Sequence, residues 1–197
     1  AFIDAKIGAE IQSSRVLFTS GADRWGMSVG FFEAGYDCVF GDLMFALDIP
    51  IPVRSIAALK RVAALVMPIA GRMPFSMIYP TGEKQDEIVP KHQKWYDWAT
   101  VLAGDCHFIK GSMPETLDGK IVVTNTTTLK DVDLFRERGI RYLVTTTPVL
   151  DDRSFGTNMM EAALVALAGK GRALTTEELS AMIDRLDFEP HIQDLRS

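Results

Sequence analysis

Three features of the 197-residue sequence predict an α/β fold with a predominantly parallel sheet. Short apolar runs alternate with helical stretches along most of the chain. The runs are continuous rather than alternating, which is the pattern of strands buried on both faces. Several runs also end in small or polar residues, so their carboxyl ends would form one polar rim. The arrangement expected is Rossmann-like and doubly wound. Helices cover both faces, the first strand is central, and a long helix-and-loop insertion follows the second strand.

The opening stretch AFIDAKIGAEIQ carries Asp4, Lys6 and Glu10 and reads as a short helix, not a secretory signal. A start without Met fits the C-terminal part of a longer protein, and residues 1–197 fit one domain. The first strand is expected at Arg15–Ser20 around Val16, Leu17 and Phe18. A helix follows from about Trp25 to Ala34, and Gly35 suits its C-terminal stop. Tyr36–Phe40 is the second strand, and this spacing gives a right-handed parallel crossover.

The insertion, about residues 43–99, is less regular. LDIPIPVRS must be extended, because two prolines lie in three residues. Ser55 can cap a helix whose apolar positions Ile56, Leu59, Ala63, Val66 and Ala70 step by three or four. Pro68 should kink or end it. The run is too short for a membrane span, which needs ~20 residues. It reads as a buried helix, a lid over an apolar ligand or the contact of a homo-oligomer. A loop rich in Pro and Gly then runs from Pro74 to Gln93. A short helix around Lys91–Trp98 leads to a third strand in TVLAGD, and DGKIVVTN holds a turn and the fourth. LKDVDLFRERGI is a helix closed by Gly139, and RYLVTTTP holds the fifth strand. TNMMEAALVALAGKG is a helix stopped by Gly169 or Gly171, and Thr175 to Glu178 matches a capping box at the start of the last helix.

The functional reading centres on Val16–Phe45. A dinucleotide site needs glycines after the first strand, a helix N-terminus facing the phosphates and an acid beyond the second strand. The chain has Gly21, Asp23, Arg24, Trp25, Gly26 and Met27 at the turn and first helical residues. The G-x-G-x-x-G spacing is absent. Asp42 stands beyond the second strand, sixteen residues after Gly26, and would take the adenosine ribose hydroxyls. That favours NAD; NADP remains open because Arg24 can grip a 2′-phosphate. Asp105, His107, Asn125, Thr126 and Thr145 lie at the later strand ends and extend the same rim. His107 is a candidate proton-transfer group with Asp105 to orient it, and Lys84 in TGEKQ a candidate for polarising a carbonyl.

Several classes are excluded or disfavoured. A net charge of −5 without a dense Lys/Arg run argues against a nucleic-acid groove. Cys38 and Cys106 form neither a disulfide framework nor a zinc ribbon, and fit a reduced cytoplasmic setting. No metal site is expected. A Gly-x-Ser-x-Gly elbow and a Walker loop are both missing.

FGDLMFALDIPIPVRS, YPTGEKQ, AGDCHFIKGSMPETLDGKIVVTNTTT and TTTPVLDDRSFGTNMMEA together resemble a bacterial family often labelled quinate or shikimate 5-dehydrogenase. The resemblance covers most of the chain. It implies a Rossmann-like fold, an NAD(P) site and oxidoreductase activity on a small-molecule substrate. Shikimate dehydrogenases carry a Lys/Asp pair in a separate substrate domain and a Gly/Ala-rich nucleotide loop, and this chain shows neither. The alternative is a non-redox relative of the fold: an S-adenosylmethionine-dependent methyltransferase, or a module binding a lipid-like ligand.

Overall fold

The computed structural model describes residues 2–8, 11, 13–72, 87–147, 149–150, 153–154 and 156–196. Its centre is a six-stranded sheet formed by β1 (Arg15–Phe18), β2 (Asp37–Phe40), β3 (Val101–Ala103), β4 (Ile121–Thr124), β5 (Tyr142–Thr145) and β8 (His191–Asp194). The order is β2-β1-β3-β4-β5-β8. The first five strands are parallel, and β8 pairs antiparallel with β5. The expected parallel α/β sheet is therefore present. β1 lies inside it but one place from the edge, not at the centre, because nothing pairs beyond β2 except a single bridge from Phe40 to Val53.

Each parallel strand sends alternate side chains to opposite faces. Val16, Phe18, Cys38, Phe40, Val101 and Ile121 join one buried cluster. Leu17, Val39, Leu102, Val122 and Leu143 join the other. On the first face lie α1 (Phe2–Ile7), α2 (Trp25–Glu33) and α4 (Ile56–Ala70), contributing Ile7, Phe31 and Leu59. Tyr36 donates a hydrogen bond to Asp4 and ties α1 to the start of β2. On the second face lie α3 (Asp42–Leu47), α5 (Gln93–Trp98), α6 (Cys106–Ser112) and α7 (Leu129–Glu137), contributing Met44, Tyr96, Ile109 and Phe135. A hairpin of β6 (Val149–Leu150) and β7 (Arg153–Ser154) follows β5. Then come α8 (Thr157–Ala168) and α9 (Thr176–Arg185), which share a small cluster of Leu164, Leu174 and Met182.

Local chemistry explains most boundaries. Ser55 accepts from the Ala58 amide at the start of α4. Thr128 with Asp131, and Thr175 with Glu178, form complete capping boxes. α8 ends at Gly169 in the left-handed conformation. α4 spans Ile56–Ala70, the expected range, and ends two residues after Pro68, whose carbonyl accepts from Arg72. Two short helices were not expected. Asp42–Leu47 is helical, and so is Cys106–Ser112, where Asp105 accepts from the His107 amide as N-cap.

A buried ion pair joins two of the helices. Lys110 Nζ on α6 lies 2.5 Å from Asp131 Oδ1 on α7, and both side chains are under 10 % exposed. Burial alone would raise the Asp131 pKa; the Lys110 bond and the Thr128 contacts outweigh it and hold it below the usual carboxylate range. The ionised form is therefore favoured by folding. Its contribution is present above the ordinary Asp value of ~3.9 and is lost as pH falls through the lower folded value. We expect Lys110→Met to cost ~3–5 kcal/mol in urea denaturation, because it strands a buried charge. We expect Asp131→Asn to flatten the acid limb of a melting-temperature profile below pH ~4.

Candidate functional site

The chain passes from β1 to β2 on one side and returns to β3 on the other. This reversal leaves a crevice at the carboxyl ends of β1 and β3, where ligands of open parallel sheets sit. Thr19, Ser20 and Gly21 form one lip, and Gly104 with Asp105 forms the other. The Thr19 amide donates to the Ala103 carbonyl at 3.0 Å, and the Asp105 amide donates to Ser20 Oγ at 3.0 Å. Gly104 has φ +136°, and a Cβ there would lie 2.7 Å from Thr19 Oγ1 and 3.2 Å from the Ser20 amide nitrogen. Only glycine lets the two lips approach this closely.

The turn after β1 is organised by Asp42. Gly21 N donates to its Oδ2 at 3.1 Å and Ala22 N to its Oδ1 at 2.8 Å. Ser28 Oγ donates to the Gly21 carbonyl at 2.8 Å. A Cβ on Gly21 would meet the Phe40 ring at 2.7 Å, so this glycine is a packing requirement. The carboxylate expected to face a ribose thus faces the backbone donors of its own loop. Burial raises the Asp42 pKa, and the two amide bonds offset that in part.

Arg24 closes the crevice from the α2 side. Its guanidinium pairs with Asp105 Oδ2 at 2.7 Å and with Asp23 Oδ2 at 2.9 Å. Arg24 Nε is buried without a hydrogen-bond partner among the described residues. Asp105 Oδ1 accepts from the backbone amide of His107 at 2.9 Å, so this carboxylate holds both the helix end and the arginine. Beside Arg24 the surface opens: Trp25 is exposed, Met27 is half-buried, and among the described residues nothing outside its own helix lies within 4 Å of a Cβ placed on Gly26.

The other expected residues sit further along the rim. Asn125 is buried; its Nδ2 donates to Thr157 Oγ1 at 3.3 Å, and its carbonyl accepts from Thr147 at 2.6 Å. Thr126 is half-buried beside it. Thr145 belongs to a separate pocket at the β5–β8 end, together with Thr127, Ser154 and His191. Gly21, Arg24, Asp42 and Asp105 are therefore brought together, while Asn125, Thr126 and Thr145 lie two and three strands away from β1. Lys84 lies outside the described residues. Ser20, Ser154 and His191 were not expected at the rim. Ser20 ends the first predicted strand and was legible as a rim residue; Ser154 and His191 arrive through a hairpin and an edge strand without apolar patterning.

The model of a domain of unknown function, DUF8754, matches residues 1–195. The chain belongs to the DUF8754 family. No curated protein and no solved structure matches it. The DUF8754 match spans the whole sheet, so the crevice, Asp42 and the β5–β8 pocket all fall within the matched region.

Cysteine chemistry does not fit this domain at neutral pH. Burial pushes the Cys38 thiol up to about 11 and holds Cys106 well above its usual range. Among the described residues no group of three His, Cys, Asp or Glu is placed to hold a metal. Asp42→Ala should cost ~1–3 kcal/mol in chemical denaturation, because it leaves the Gly21 and Ala22 amides without their acceptor. It should also raise amide hydrogen exchange at those two residues and leave the Lys110–Asp131 region unchanged.

Proposed function

We propose that this DUF8754 chain is a Rossmann-like nucleotide-cofactor domain of an NAD(P)-dependent oxidoreductase acting on a small molecule. One observation carries the reading: strands ordered 2-1-3-4-5 reverse at β1, with a glycine-led turn and the α2 N-terminus at the reversal. Sheets of this order obey the same rule as dinucleotide-binding sheets and take ligands at the reversal point. The free amides and dipole of a helix N-terminus favour a phosphate there.

The geometry modifies how such a cofactor would be held. A diphosphate cannot use the Gly21 and Ala22 amides while Asp42 holds them. The accessible backbone is at Gly26, where the surface is open. In this reading the phosphates lie over Gly26 and the first turn of α2, and Asp42 acts by shaping the loop. Asp23 and Asp42 still place two carboxylates beside the turn, which disfavours the extra charge of a 2′-phosphate and so favours NAD. Arg24 is already paired with Asp105 and Asp23, which weakens its claim on that phosphate. His107, one residue into α6 beyond Asp105, is the candidate proton-transfer group. Two buried thiols that pair with nothing fit a reduced cytoplasmic setting.

The test is a thermal-shift panel with NAD, NADP, S-adenosylmethionine and ATP. NAD at 100 times its dissociation constant should add about 2.7 kcal/mol of stability. Gly26→Val should abolish that shift while the unliganded protein still melts cooperatively, since a Cβ at this exposed position has nothing outside its own helix within 4 Å among the described residues. A shift with S-adenosylmethionine alone would move the domain to a methyltransferase-like class. No shift with any of the four, or an unchanged NAD shift in Gly26→Val, would remove the reading.

A further inference from the structure

The carboxyl end of β5 carries a second pocket, of about 170 Å³, on the face opposite α2. Leu143 and Thr145 line it from β5, Leu129 and Val132 from α7, and Gln193 and His191 from β8. Thr127 and Ser154 complete the wall. Thr145 pairs directly across the sheet with His191, and Leu143 with Gln193, so the two strands set the spacing of the wall.

Its chemistry is unusually uniform. Thr127, Thr145 and Ser154 are 5 %, 2 % and 5 % exposed. Ser154 Oγ accepts from the Thr127 amide at 2.5 Å and shares a 3.3 Å bond with Thr127 Oγ1. Two hydroxyls that share one bond retain one hydrogen to give. Thr145 Oγ1 is buried with no hydrogen-bond partner among the described residues. Leaving such a group unmatched is costly, and a ligand oxygen would relieve that cost. Among the described residues, no Asp, Glu, Lys or Arg lines the space. Leu129, Val132 and Leu143 supply an apolar side to the wall, and Gln193 and His191 add further polar groups.

We propose that this pocket binds a small neutral molecule bearing adjacent hydroxyl or carbonyl oxygens on a short hydrocarbon frame. The oxygens would meet Thr145 and the Thr127–Ser154 pair, and the hydrocarbon would lie on the leucine and valine wall. Size sets the upper limit: a cavity of ~150 Å³ holds a benzene-sized guest, so the ligand has few non-hydrogen atoms. Charge sets the class: among the described residues no Asp, Glu, Lys or Arg stands in this pocket to replace the hydration that an ion would lose. His191, exposed at the end of β8, stands at the mouth. The inference does not depend on a nucleotide in the β1–β3 crevice and is tested without one.

The experiment uses the full chain and saturation-transfer NMR. The probes are 3-hydroxybutan-2-one and butane-2,3-diol, compared with lactate and malonate of similar size. The two neutral probes should bind and the two anions should not. Thr145→Val keeps the shape and removes the hydroxyl. It should weaken the neutral probes at least ~tenfold and melt at or above the parent temperature, because it deletes an unmatched buried group. Three binding results would overturn the proposal. They are no binding by either neutral probe, anions bound as well as neutral probes, and unchanged affinity in Thr145→Val. A melting temperature lowered in that variant would also overturn it, by showing that the hydroxyl already has a partner.

Discussion

A single in-register row of side chains sets the geometry on which the rest of the molecule depends. Val39, Leu17, Leu102, Val122 and Leu143 stand side by side across five strands, each paired with the next, and all are essentially buried. Burying each is worth roughly 1.5–3 kcal/mol. A slip of one residue in any strand would turn its member of the row to the opposite face. The row therefore locks all five strands at one level, and that level decides which residues emerge at the carboxyl rim. Thr19, Gly41, Gly104, Asn125 and Thr146 follow their strands as a consequence of this register.

The crevice between β1 and β3 is held by polar contacts that connect separate elements. Asp42 begins α3 but binds the turn after β1, and Asp105 begins α6 but binds Arg24 before α2. Each carboxylate faces donors that the backbone or a guanidinium supplies at fixed positions. The loop around Gly21 is therefore pre-shaped, and a ligand entering beside it meets an ordered surface. Such an arrangement lowers the ordering cost of binding at the price of some freedom in the loop.

Much of the fold was legible in the sequence, for physical reasons. The five parallel strands are short apolar runs, and their burial on both faces makes the signal strong. The capping box from Thr175 to Glu178 depends on residues three apart and can be read directly. The elements not foreseen lack such signals. The α3 and α6 helices are six and seven residues long, too short to show periodicity. The strand HIQD at residues 191–194 has one aliphatic residue, and only its pairing with β5 makes it a strand. Candidate site residues followed the same division. The placement of Asp42 beyond β2 was legible, but position alone does not say which donors a carboxylate will face. Arg24 and Asp105 are 81 residues apart, and their contact follows from β1 pairing with β3.

The two borders of the sheet show how this protein limits its own company. Along β2, the Phe40 amide and carbonyl are both taken by Val53, at 2.8 and 3.0 Å, and Pro50 and Pro52 beside it have no N–H to offer. At the other border β8 is four residues long, polar and antiparallel to its neighbour. Neither border presents the long, flat, apolar ladder that recruits a strand from another molecule. Both borders are thus poor templates for end-on strand addition. Among the described residues, the four most exposed large apolar side chains are on helices, Leu65 and Met67 on α4 and Met159 and Leu167 on α8. A self-association driven by these four side chains would set helix against helix.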